Sequence, residues 1–475
     1  MSLTILLILI AAALLARLLG RGRLRVPLLL VVSVLAVFWL QPATPIRRLD
    51  FWLPVATLTL AVLGWLLTVQ PDQRWRRGNA LAGGLVVGVV LLVALTRYLN
   101  LDGILTPSRP PQLHTVLIVL AALSLAGLAL ARWSQPQRGW LWVAFAALVG
   151  LLVVLKLPPL ATTVSAGLRA LASQDTSLAS AGDLRWLGFS YLAFRLIHTI
   201  RDRQAGRLPD ATLAEYLVYM MFFPALMAGP IDRLERFLKD LRAPQAPLEE
   251  DLLAAAPRLA VGLLRKFVLA DTLGLVALGA ANAPHLQSTA WAWVALYAYA
   301  FQIFFDFAGY SDIAIGAGRL LGIQLPENFN APYRRSNLAL FWNNWHMTLT
   351  QWFRAYFFNP LTRSLRRARH PLSTGATILL TQVSTMVLIG LWHGITWNFV
   401  LWGVWHGLGM FVQNRYSEWA RPRMGWLESH PRLQQAVGVL NVLATFHFVA
   451  LGWVWFALPT PALSLSVFKV LLGRL

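Results

Sequence analysis

Apolar residues in this chain come in unbroken runs of about 20 rather than in alternation, the pattern of membrane-spanning helices and not of barrel strands. In the first third such runs cover residues 2–16, 27–41, 51–69, 79–96, 113–131 and 139–157. They are dense in Leu, Val and Ala and nearly free of internal polar residues. Arg17, Arg21, Arg23 and Arg25 follow the first run, with no basic residue before it. A cleaved leader shows the opposite flank, so this run is expected to be a retained helix whose C-terminal end is cytoplasmic.

The pattern then loosens. Residues 158–183 are rich in Ser, Thr, Ala and Gly, which predicts an exposed loop or a surface helix. In the run 184–200, Arg195 and His198 share a helical face. Arg195 is expected at a membrane edge, where arginine snorkels, and His198 is left open. The run 213–230 ends at Gly229-Pro230, and a charged amphipathic helix is predicted beyond it. Residues 252–283 read as a tilted span punctuated by Arg258, Arg265, Lys266 and Asp271. The run 288–318 holds Asp306 and Asp312, which must face protein or water, not lipid.

A polar, Pro-interrupted loop at 326–337 precedes a predicted helix over 338–358. The basic cluster Arg363, Arg366, Arg367 and Arg369 follows, on the cytoplasmic side by the positive-inside rule. Spans at 374–392, 395–414, 434–457 and 461–473 close the chain. The expectation is an all-α polytopic membrane protein of about a dozen transmembrane helices. Residues 1–135 read as scaffold, and residues 136–475 carry the chemistry.

Composition sharpens this. Of 475 residues 57% are hydrophobic and only 13% charged, against about a quarter charged in soluble domains. The net charge of +21 fits arginines that fix topology and meet anionic headgroups. No nucleic-acid-binding pattern accompanies it, so no nucleic-acid partner is expected. Cysteine is absent, which removes thiolate metal sites and a cysteine nucleophile.

Two histidines lie in tryptophan-rich, apolar settings: FWNNWHMTLTQWFR (341–354) and GLWHGITWNFVLWGVWHG (390–407). Ionisable groups at membrane depth are costly, which makes them candidates for function. As one helix, the first segment would put Asn343, His346 and Thr350 on one face with Arg354 nearby, while Trp342, Trp345 and Trp352 flank it. An interfacial helix with its tryptophans at the headgroups fits the same pattern. In the second segment Gly394 permits close approach of a neighbour. His393 and Trp397 share a face if the helix continues through that glycine. A neutral imidazole near pKa 6.5 suits general-base work, and a helix-packing histidine is the plainer alternative. His406 sits in the same WHG setting, and residue chemistry does not rank it below His393. There is no G-x-S-x-G elbow, H-E-x-x-H, P-loop or G-x-G-x-x-G, so no metal and no bound nucleotide is expected.

FDFAGYSD (305–312), PENFNAPYRRSNLALFWNNWHMTLTQWFR (326–354) and GLWHGITWNF (390–399) resemble the membrane-bound O-acyltransferase superfamily, in its bacterial branch that acylates cell-envelope polymers. MAGPIDRLERF (227–237) and LGWVWF (451–456) look like further landmarks, so the likeness covers roughly residues 140–460. The resemblance implies a helical fold enclosing a tunnel. It also implies a catalytic histidine in the WHG motif, here His393, and a partner histidine in WxxWH, here His346. Around them Asn343, Trp342, Trp345, Thr350, Arg354, Trp392, Trp397, Asn398 and Asp312 are the candidate substrate-binding residues.

By that likeness the cosubstrate is an acyl thioester, either acyl-CoA or an acyl-carrier phosphopantetheine arm, with no bound cofactor. The other partners implied are the lipid bilayer, an extracytoplasmic polymer and a relay acyltransferase protein, in the cytoplasmic (inner) membrane. GPIDR (229–233) and FWNNWHM look closer to the branch that delivers D-alanine to teichoic acid, whereas the segment 390–407 looks closer to the alginate-acetylating branch. Acetyl transfer is favoured and D-alanyl transfer is the alternative. A proton-coupled transporter or flippase is the rival of another class, since buried His and Asp residues also build proton relays. A purely structural scaffold ranks last.

Overall fold

The computed structural model describes residues 2–474 apart from 100, 102, 133–137, 421 and 426–428. The expected boundary at 135/136 lies outside the described residues. Among the described residues the regular structure is helical throughout.

Contacts divide the chain into two compact units, Met1–Leu259 with Ile313–Pro326, and Ala260–Asp312 with Glu327–Leu475. The first unit opens with α1 (Leu3–Leu19), α2 (Arg25–Trp39), α3 (Leu49–Thr68), α4 (Arg77–Leu95), α5 (Leu113–Arg132) and α6 (Arg138–Lys156). These match the apolar runs to within a few residues, because backbone groups in lipid must be bonded within the segment. The polar stretch after them forms the half-exposed helix α7 (Pro158–Leu171) and a loop, tied together where Asp183 accepts from Arg169 and Ser165.

Next come α8 (Phe189–Gln204), α9 (Leu213–Met220) and α10 (Leu234–Arg242). Arg195 is not at a membrane edge. It is 3% exposed and donates to the carbonyls of Tyr219, Met220 and Ala225. A buried guanidinium there answers the orphan carbonyls at the end of α9 and the turn after it. His198 is also buried, accepting from the Leu234 N–H at 3.2 Å and pairing with Asp202 at 3.3 Å. Arg195 thus ties the end of α9 and the turn after it to α8, and His198 ties the start of α10 to α8.

The segment predicted as a tilted span starts at α11 (Leu248–Leu263) and continues as a π-helical turn, Leu264–Ala270. That turn carries Arg265 and Lys266, which pair with Asp312 and Asp306 of α12 (Thr289–Leu320). The two carboxylates inside the apolar run are thus both answered by cations.

The second unit continues with α13 (Leu338–Asn344), α14 (Met347–Phe353), a π-helical turn Arg354–Phe358 and α15 (Asn359–Arg366). It ends with α16 (Thr374–His393), α17 (Trp397–Ala420), α18 (Pro431–Ala457) and α19 (Pro461–Leu471). Eight helices among the described residues are long and apolar enough to cross a membrane: those containing α2 to α6, and α12, α16 and α18. The shorter apolar helices Leu3–Leu19, Leu213–Ala225 and Pro461–Leu471 join them. The protein is an all-α, multi-pass membrane protein.

Helices α16 and α17 form an antiparallel hairpin whose close contact depends on glycine. A Cβ at Gly403 would lie 2.5 Å from Val387 Cα, and one at Gly407 2.6 Å from Val383 Cα. Two backbones this close leave no room for a methyl group.

Candidate active site

Residues 338–358 are not one helix. Asn337 caps α13 by accepting from the Leu340 N–H at 2.8 Å. The chain then breaks at Trp345, and His346 takes φ 41°, ψ 54° before α14 begins. That left-handed conformation is uncommon outside glycine, although histidine is among the residues that tolerate it. It is held by the preceding loop: Met347 N–H donates to Asn328 O at 2.9 Å, and Asn330 N–H to Asn344 O at 3.0 Å. These bonds compete with the helical ones and win.

The break separates the polar positions that helical spacing groups together. His346 is 2% exposed, its ring edge-on to Phe307 at 4.6 Å and 6.3 Å from the Trp392 ring. Asn343 is exposed and accepts from Arg354 Nη2 at 2.5 Å. Thr350 Oγ1 lies 3.5 Å from the Trp345 carbonyl. Trp342 and Trp345 are buried, packing on Trp402 at 5.5 Å and on Trp453 at 5.1 Å.

His393 closes α16. The helix stops because Gly394 is extended, and the Phe399 ring packs so close that a Cβ there would meet it at 2.7 Å. Trp397 therefore belongs to the next helix and is 74% exposed, not on the face of His393. The half-buried imidazole is enclosed by rings: Trp392 at 4.6 Å, Phe456 at 4.8 Å, and Phe399 and Trp402 at 5.9 Å each. Trp392 thus stands against both histidines. Asn398 is buried, and its Nδ2 donates to Leu458 O and Ser464 Oγ, tying the start of α17 to the α18–α19 junction. Asp312 lies 2.5 Å from Arg265.

His406 is 0% exposed. It lies against Trp402 at 4.9 Å and Trp342 at 5.2 Å, and a Cβ on Gly452 would be 2.6 Å from its Nε2. The two WHG histidines, alike in sequence, differ in surroundings. Among the described residues no group of three or more His, Asp or Glu side chains is placed to hold a metal.

One residue beside His346 is marked neither by helical spacing nor by a motif. Asn328 is 1% exposed, and its Oδ1 lies 3.0 Å from His346 Nδ1 and 2.9 Å from Thr348 Oγ1. Its Nδ2 donates to Ser311 Oγ at 3.2 Å. The only signal was an asparagine in a Pro-bounded loop, and its partners lie 17 to 20 residues away on either side.

Residues 131–451 match MBOAT, the membrane-bound O-acyltransferase family. A teichoic acid D-alanyltransferase of Streptococcus thermophilus is 35% identical over 248 residues, covering 49% of this chain and 58% of that protein. A peptidoglycan O-acetyltransferase of Helicobacter pylori is 32% identical over 262 residues, 54% and 46% of the two chains. A probable alginate O-acetylase of Pseudomonas aeruginosa is 31% identical over 271 residues, 57% and 48%. The chain thus spans about half the length of these curated relatives. With both histidine segments inside the matched region, the chain belongs to the membrane-bound O-acyltransferase family.

Proposed function

We propose that this protein transfers an acyl group, acetyl in the favoured reading, from a cytoplasmic thioester to a hydroxyl of a cell-envelope polysaccharide or of a relay protein, across the cytoplasmic membrane. The observation that carries this reading is the shared surround of His346 and His393, with Trp392 against both rings. His393 takes the proton of the incoming hydroxyl. The oxygen attacks the thioester carbonyl, the C–O bond forms, the C–S bond breaks, and the proton leaves with the thiol. His346 helps orient the substrates. The aromatic shell keeps water from the thioester.

The thioester is a coenzyme A ester or a carrier-protein arm. D-alanyl transfer is the second reading, supported by the relative named for that activity. The test is thiol release from thioester donors by the protein in liposomes enclosing a hydroxylated polymer, alongside the His393→Ala variant. Protein-dependent release that the variant loses is the expected result. Unchanged release by a properly inserted variant would sink it.

A further inference from the structure

The hydrogen bonds around Asn328 determine which nitrogen of His346 carries a proton. The Thr348 backbone N–H points at one side-chain atom of Asn328, 3.4 Å away. A backbone N–H can only donate, so that atom is the amide oxygen. The other amide atom, the nitrogen, donates to Ser311 Oγ. The orientation of Asn328 is therefore fixed without reference to histidine. Its oxygen also lies 3.0 Å from His346 Nδ1. Two lone pairs cannot face each other at that distance, so Nδ1 must hold the hydrogen. A neutral imidazole with Nδ1–H has a bare Nε2. Here that Nε2 is buried with no hydrogen-bond partner among the described residues.

We infer that Asn328 is a positioning residue: it holds His346 as the Nδ1–H tautomer, so that Nε2 is a hydrogen-bond acceptor toward the substrate. Neutral His346 then cannot donate to a developing oxyanion. It orients the reactants by accepting an N–H or O–H from them. The left-handed backbone at residue 346, pinned by Met347 N–H to Asn328 O, sets the ring against the same asparagine. One loop residue thus fixes both the rotamer and the tautomer.

The inference rests on the transferase reading for its consequence, but the tautomer does not. In protein labelled with ¹⁵N-histidine, subtracting the His346→Gln spectrum isolates His346. The expected signals are a protonated Nδ1 and an unprotonated Nε2. Asn328→Asp keeps an acceptor facing Nδ1; it should keep that tautomer and a measurable kcat. It should also move the acid limb of the kcat–pH profile upward, because a carboxylate favours imidazolium. Asn328→Leu should lose tautomer preference and on the order of 10²-fold in kcat, with KM little changed.

A protonated Nε2 in neutral wild-type protein overturns the inference, as does Asn328→Leu protein with wild-type tautomer and turnover. The spectrum requires no turnover. Failure of the transferase reading would instead appear as unchanged thiol release by His393→Ala protein, whatever tautomer His346 holds.

Discussion

The ring of His393 meets that of Phe456 at 4.8 Å, with their planes 74° apart. An imidazole that must take a proton from a hydroxyl works only in a narrow range of orientations, and a misplacement of about 1 Å can cost 10²-fold. Phe456 is the nearest ring on α18 and holds His393 on one side. Phe456→Ala should lower kcat by about tenfold or more with little change in KM, while Phe456→Leu, which fills much of the space, should retain most activity. Steady-state thiol release on both variants checks this.

The hairpin that carries His393 should be sensitive at Gly403, whereas α18 should be indifferent to a methyl group at Gly438. A methyl group at Gly403 meets Val387 Cα at 2.5 Å, whereas nothing lies within 4 Å of one at Gly438. Gly403→Ala should destabilise by about 1–3 kcal/mol through overpacking. Gly438→Ala should be neutral or slightly stabilising, as Ala is the better helix former. Thermal unfolding in detergent distinguishes the two.

Asp183 supplies a pH dependence whose sign can be worked out. Burial alone would raise its pKa, but Arg169, Ser165 and the Ser180 N–H together hold the carboxyl below its ordinary value of 3.8. A carboxylate held below its unfolded value stabilises the fold above that value and loses the contribution as pH falls through the folded one. Asp183→Asn should therefore lower Tm at pH 7, and the gap from wild type should close below about pH 4. Melting curves between pH 7 and 3 check it.

Arg195 shows where legibility ended. Hydropathy alone placed α1 to α6 and α16, since in lipid a helix must satisfy its own backbone and the run length is the signal. The same reasoning put Arg195 at a membrane edge, because the acceptors that draw its guanidinium inward leave no mark in the hydropathy pattern. They are backbone carbonyls 24 to 30 residues further on. His346 failed similarly: periodicity assumes a continuous helix, and bonds from residues 328 and 330 end it. The histidine motifs were readable by resemblance; the loop asparagine beside His346 was not. Arg195→Met should be among the most destabilising single changes in the first unit, because it strands buried acceptors at a cost of about 1–3 kcal/mol each. Expression and melting of Arg195→Met beside Arg195→Lys measure that cost.

The two WHG histidines, alike in sequence, differ in burial and surroundings, and the proposed reaction gives the proton-accepting role to His393 alone. His406 has zero exposure, and neither ring nitrogen has a hydrogen-bond partner among the described residues. An unpartnered buried polar group adds little to stability, and an apolar side chain of similar size can replace it at small cost. His393 is half-buried, within a shell it shares through Trp392 with His346. His406→Leu should therefore melt near the wild type and keep turnover within a few fold, whereas His393→Leu should fold as well and lose transfer by at least 10²-fold. Paired melting and thiol-release measurements decide the matter. If His406→Leu were the inactive variant and His393→Leu the active one, the assignment of the two histidines would have to be exchanged.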